Sequence, residues 1–128
     1  PYPGIPELLE TLQDKDYKLA VASNKYQAAT EKLIAHYFPG IRFVAVFGQR
    51  EGVKVKPDPA VVHDILRIAG VSKDEVLYVG DSGVDMQTAI NSGVTSCGVP
   101  WGFRPRTELE SFCPDYIVDK AETILSIV

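Results

Sequence analysis

The sequence predicts an α/β domain of three-layer α/β/α, Rossmann-like type, with a parallel sheet between two layers of helices. Three observations predict it. Short apolar runs alternate with segments of helical period along the whole chain, the pattern of strands buried on both faces. Glycine or proline marks several of the changes of period. The polar residues suited to chemistry fall where apolar runs end, and strand ends form the usual ligand crevice of an open α/β sheet. At 128 residues the chain is expected to form one domain, residues 1–128.

The elements follow in order. Residues 5–12 place Ile5, Leu8, Leu9 and Leu12 on one helical stripe, with Pro6 near the first turn. Residues 18–23 (KLAVAS) are a short apolar strand. Residues 27–38 return to helix, with Leu33, Ile34 and Tyr37 on one side. Residues 43–47 make a second strand, and a polar, glycine-containing loop, 48–55, follows. Residues 59–69 carry Val62, Ile65, Leu66 and Ala69 at helical spacing and end at Gly70. Residues 76–80 are the third strand, 84–91 a helix stopped by Ser92 and Gly93, and 95–99 the fourth strand. After a loop at 100–105 come a short helix (106–112), a last strand (116–118) and a last helix (121–128). Right-handed crossovers gather the loops 24–26, 48–57, 81–83 and 100–105 at one edge of the sheet.

Composition narrows the function classes. A formal charge of −4, with no basic stripe, gives no electrostatic ground for a nucleic-acid partner. No apolar run approaches a membrane span, and PYPGIPELLE has neither a basic region nor an apolar signal core, so no membrane partner is expected. Cys97 and Cys113 lack CxxC spacing, which fits free thiols in a reducing, cytoplasmic setting.

The most informative stretch is LYVGDSGVDM, residues 77–86. The strand breaks at Gly80 and delivers Asp81 and Asp85 to the start of the next helix. Two acids held close together repel unless a cation or proton lies between them, and a hard cation such as Mg²⁺ suits them. The plainer reading is that Asp81 or Ser82 caps that helix. Upstream, Ser23-Asn24-Lys25 ends the first strand. A hydroxyl with backbone N–H groups there can bind a phosphate oxygen, or simply cap a helix. In Lys54-Val55-Lys56-Pro57-Asp58-Pro59, Pro57 keeps Lys56 out of the helical region, and a fixed ammonium suits a phosphate. A solvated loop lysine is the alternative, and Lys54 is the weaker candidate. Together a hydroxyl, a lysine and paired acids would grip a phosphoryl group and its metal. An attacking group is missing from the set. Trp101 and Phe103 fit either contact with a substrate or cap, or cover for the core's rim. Arg104 and Arg106 fit a solvated loop or a substrate carboxylate.

SNK after one strand, KPDP after a long loop and VGDSGVD after another strand resemble, in order and spacing, the second to fourth motifs of the haloacid-dehalogenase-like phosphatases. The phosphoglycolate-phosphatase-like branch is the nearest in appearance, and the resemblance covers essentially the whole chain. It implies an incomplete HAD-like core in which Ser23 binds phosphate, Lys56 stabilises charge on the nucleophile and the transferring phosphoryl, and Asn24 and Gly80 shape the pocket by backbone contacts. It implies Asp81 as a Mg²⁺ ligand, with Asp85 as a second ligand or holder of its waters. The substrate class it implies is a small phosphorylated metabolite.

The family's first motif, DxDGT, is absent, and with it the aspartate that forms an aspartyl-phosphate, the general acid/base and the helical cap. The expectation is the C-terminal core part of a larger Mg²⁺-dependent phosphomonoester hydrolase, inactive as this chain alone. Truncation, proteolysis or a broken gene would each produce it. A sugar-phosphate mutase and a non-catalytic interaction domain are the alternatives; a receiver-type signalling domain fits worse. The family's missing strand lies between the strands at 18–23 and 76–80. Unpaired buried backbone groups cost about 1–3 kcal/mol each. These two strands are therefore expected to pair directly, or another chain or a retained N-terminal fragment to fill the slot. Self-association through the exposed edge is a further expectation.

Overall fold

The computed structural model describes residues 2–128; Pro1, part of the N-terminal segment read above, lies outside the described residues. α1 (Ile5–Asp14) follows Gly4, whose φ of 84° favours glycine, and buries Leu8 and Leu12. β1 (Leu19–Tyr26) runs past the expected end at Ser23, so Ser23-Asn24-Lys25 lies within the strand's last stretch. The cause is its partner. After an irregularity beyond Ala22, the ladder to β2 (Phe43–Gln49) resumes at Tyr26 opposite Gln49. Gln27, the first residue of α2 (Gln27–Tyr37), fastens this end. Its side-chain amide donates to the Val46 carbonyl and accepts from the Gly48 N–H, each at 2.7 Å.

α3 (Ala60–Ala69) ends at Gly70, whose left-handed backbone closes the helix. β3 (Leu77–Gly80), α4 (Gly83–Ser92) and β4 (Thr95–Gly98) follow as read from the sequence. α5 (Arg106–Glu110) is shorter than expected, and β5 is only Tyr116–Ile117. The final segment, Ala121–Ser126, is a 3₁₀ rather than an α-helix. Its buried residues, Ala121 and Ile124, are three apart, and a 3₁₀ helix eclipses such positions into one stripe. None of the described helices is long and apolar enough to cross a membrane.

All strand pairs are parallel, as expected for this α/β class, but they form two sheets: β1–β2 and β3–β4–β5. The expectation that the strands at 18–23 and 76–80 pair directly is therefore not met. A cavity of about 650 Å³ runs between β1 and β3, lined by residues including Leu19, Ala22, Ile65, Leu77 and Val79. Two apolar layers hold β1 and β3 apart. On one side Leu8 and Leu12 of α1 pack with Cys97, Val99 and Ile124, and reach both Leu19 and Leu77. On the other, Val61, Val62 and Leu66 of α3 pack with Ala89 and Val94, and reach Ala22, Phe47, Val76 and Tyr78. Each layer bridges both sheets, so closing the slot would pull both layers out of register with their helices.

Candidate active site

Lys56 is positioned by its backbone before its side chain is considered. The Asn24 side chain makes two hydrogen bonds to it: the Lys56 N–H donates to Oδ1 at 2.9 Å, and Nδ2 donates to the Lys56 carbonyl at 3.1 Å. The Lys56–Pro57 peptide is cis. Asn91 Nδ2 donates to the Pro57 carbonyl at 2.9 Å, and Asp58 Oδ1 accepts from the Ala60 N–H where α3 begins. The ammonium then reaches across the chain's division. Lys56 Nζ donates to the Ala22 carbonyl of β1 at 3.0 Å and to Asp85 Oδ1 of α4 at 2.7 Å. Both side chains are largely withdrawn from water, at 10% and 11% exposed.

Asp85 is saturated by this chain. Besides Lys56, its Oδ1 accepts from the Tyr78 hydroxyl at 3.1 Å; its Oδ2 accepts from the Asp81 N–H and the Ser82 hydroxyl, each at 3.1 Å. Burial alone would raise its pKa, but the Lys56 ammonium and these donors outweigh it and hold the carboxyl below its ordinary range. Ser82 is also the N-cap of α4, accepting from the Asp85 N–H at 3.2 Å, as the plain capping reading has it. Tyr78, read from the sequence as an apolar strand residue, carries a hydroxyl whose pKa is pushed up by burial and by the negative charge of Asp85. It stays a donor at any ordinary pH.

Asp81 behaves in the opposite way. Burial, then the charge of Asp85, raises its pKa. Its N–H serves Asp85, and among the described residues none donates a side-chain or backbone hydrogen bond to its carboxylate. A carboxylate left as a free acceptor beside a second, ionised acid fits a hard cation that keeps its own waters. No third His, Cys, Asp or Glu joins the two among the described residues. The donor set thus fits part of a Mg²⁺ shell: Asp81 as the open ligand, with Asp85 too fully hydrogen-bonded to offer more than support.

Ser23 is half-buried. Its Oγ accepts from the Lys25 N–H at 3.1 Å, which leaves its own O–H free to donate. Ser23, Asn24, Lys54 and Lys56 line one small recess of about 10 Å³. The fold therefore links the residues in a chain: Ser23 and Asn24 with Lys56, Lys56 with Asp85, and Asp85 with Asp81. The Asn24 side chain enters this chain of contacts through its two bonds to the Lys56 backbone. Arg106 is engaged with Asp119 at 2.9 Å and Arg104 with Glu108 at 3.7 Å. Trp101 packs against the core, whereas Phe103 is 99% exposed.

The sequence model of the haloacid dehalogenase-like hydrolases matches residues 1–99. The chain belongs to that family. It is 31% identical to a phosphoglycolate phosphatase of Aquifex aeolicus, over all of this chain and 59% of that protein. It is 28% identical to the pyrophosphatase PpaX of Listeria welshimeri, over 99% of this chain and 58% of that one. A crystal structure provisionally assigned as a phosphoglycolate phosphatase, from Lactobacillus delbrueckii subsp. bulgaricus, superposes with a TM-score of 0.91 at 40% identity, covering 97% of this chain and 52% of that one. The chain thus spans little more than half the length of these family members.

Proposed function

We propose that this chain is the C-terminal core part of a Mg²⁺-dependent phosphomonoester hydrolase, forming a single core domain over residues 1–128. The observation that carries the proposal is the placement of Lys56. Its ammonium is tied to the Ala22 carbonyl of β1 on one rim of the slot and to Asp85, just after β3, beyond the other. A phosphoryl group held there meets one fixed positive charge, the free O–H of Ser23 and a neighbouring acceptor, Asp81, for its counter-ion. Asn24 serves the same site by fixing Lys56. A bound Mg²⁺ would neutralise charge on the phosphoryl oxygens. Lys56 supplies a cation whose place is set before substrate arrives, so little reorganisation is needed as charge develops.

The attacking carboxylate lies outside this chain in this reading. A parallel strand entering the slot between β1 and β3 would carry an aspartate to the same rim. That carboxylate attacks phosphorus, the ester oxygen leaves as the alcohol with a proton from a general acid that likewise lies outside this chain, and water then cleaves the aspartyl-phosphate, freeing phosphate and restoring the carboxylate. The 128 residues alone lack that nucleophile and are inactive. The relatives named above are a phosphoglycolate phosphatase and a pyrophosphatase. A small phosphorylated metabolite is the substrate class consistent with both names. The two free cysteines suit work in a reducing cytoplasm.

The test is Lys56→Ala in the full-length gene product, assayed for phosphate release from p-nitrophenyl phosphate with Mg²⁺. Loss of one preorganised charge-stabilising donor predicts a fall in kcat of about 10²-fold or more. An unchanged kcat would remove Lys56 from the chemistry.

A further inference from the structure

The loop between β4 and α5 makes a contact that the reaction described above does not require. The β3–β4 ladder ends with the Val99 N–H donating to the Gly80 carbonyl at 2.9 Å, which starts the loop directly beside Asp81. Trp101 then turns inward, packs against the core cluster that holds Leu8, Cys97 and Val99, and lies against the Tyr2 ring with centroids 6.3 Å apart. That anchor brings the next residue, Gly102, onto the Asp81 side chain. A Cβ at Gly102 would lie 2.4 Å from Asp81 Oδ2, 2.7 Å from its Cβ and 2.8 Å from its Cγ. Gly102 is not among the residues with positive φ, so its backbone conformation does not call for glycine. Space does. The whole Asp81 side chain is blocked, not only its tip, so rotation of the carboxylate would not relieve the clash. Asp85 is seated in the same manner, since a Cβ at Gly80 would lie 2.2 Å from its Cβ.

We propose that Gly102 is a positioning residue for Asp81. It forms the wall that sets the carboxylate's direction, with Trp101 fixing that wall to the core, so the loop after β4 sets the affinity of the site for a divalent cation. The inference rests on the reading of Asp81 as the cation's open ligand. Asp81 receives no hydrogen bond from the described residues. Packing therefore has to hold it, and the packing surface is Gly102.

The experiment measures Mn²⁺ binding to the full-length gene product by the electron paramagnetic resonance signal of the free ion, with thermal melting recorded in the absence of cation. Wild type, Asp81→Ala, Gly102→Ala, Trp101→Ala and Phe103→Ala are compared. Gly102→Ala is expected to weaken Mn²⁺ binding at least tenfold, with a melting temperature lowered by the overpacking no more than in Gly80→Ala. Phe103→Ala, next to it but almost fully exposed, is expected to bind as wild type does. Gly102→Ala binding Mn²⁺ as tightly as wild type, while Asp81→Ala loses it, would overturn this inference alone. So would an equal loss in Phe103→Ala, which would make the effect one of general loop disturbance. No Mn²⁺ binding by wild type, or undiminished binding by Asp81→Ala, would overturn both this inference and the reading of Asp81. If Gly102→Ala fails to fold or melts far lower, Trp101→Ala decides. Binding weakened at least threefold upholds the wall, and wild-type binding overturns it.

Discussion

Lys56 Nζ and Asp85 Oδ1 meet at 2.7 Å and join two halves of a molecule whose sheets do not hydrogen-bond to each other. Lys56 is held to β1 through Ala22 and Asn24, whereas Asp85 belongs to α4, directly after β3. The pair is buried, so each partner needs the other. Asp85→Asn removes the charge and keeps the shape, which leaves an uncompensated ammonium. The expected loss is about 3 kcal/mol of stability, read from urea unfolding at neutral pH.

The two aspartates should respond to pH in opposite directions. The carboxyl of Asp85 is held below its ordinary range, so its contribution is present above the unfolded-state pKa and is lost as pH falls through the lower folded value. Asp81 is raised by burial and by Asp85, so its ionised form opposes folding once pH exceeds the unfolded value. Asp81→Asn should therefore raise the melting temperature at neutral pH, while Asp85→Asn lowers it. Both differences should shrink at pH 3. A melting series of the two variants across pH checks the signs.

Asn24→Ala removes both hydrogen bonds that hold the Lys56 backbone but leaves its charge in place. These bonds are exposed, so the stability cost should be only about 1 kcal/mol. The cost should appear in kcat, with KM moved much less, because the ammonium is still present but loosely placed. Steady-state kinetics on the full-length gene product separate the two.

Gly80 and Gly40 provide an internal contrast. A methyl at Gly80 collides with Asp85, whereas a methyl at Gly40 meets nothing within 4 Å. Gly80→Ala should cost about 2 kcal/mol or more through overpacking, and Gly40→Ala should stay within about 0.5 kcal/mol of wild type. Chemical denaturation of the pair measures both.

The two thiols should differ sharply. Cys97 is buried in the core, and burial pushes its pKa up to about 11; Cys113 is exposed. A thiol-specific colorimetric reagent at pH 8 should titrate one cysteine in the native chain and the second only after denaturant is added.

The alternating periods made the strands, helices and parallel pairing legible, because each apolar run had the length and flanks of a buried strand. KPDP and GDSGVD stood out in the sequence as candidates, because prolines stiffen the chain before α3 and a glycine ends β3. The extension of β1 to Tyr26 was not, since it depends on Gln27 bridging to Val46 and Gly48 some twenty residues away. Nor was the role of Tyr78. Its position within an apolar run pointed inward, and only the turn of α4 puts Asp85 under its hydroxyl. SxxD at Ser82–Asp85 was a readable signal of reciprocal capping. That β1 and β3 would not pair directly was not legible either, because the two apolar layers that hold them apart are long-range features.

The proposed phosphate-gripping rim of Ser23, Lys56 and Asp81 takes its attacking carboxylate from outside these 128 residues. The decisive measurement is phosphate release from p-nitrophenyl phosphate with Mg²⁺, compared between these 128 residues and the full-length gene product. The full-length product should turn over, and the 128 residues alone should be slower by about 10³-fold or more. Equal turnover by the two would contradict it.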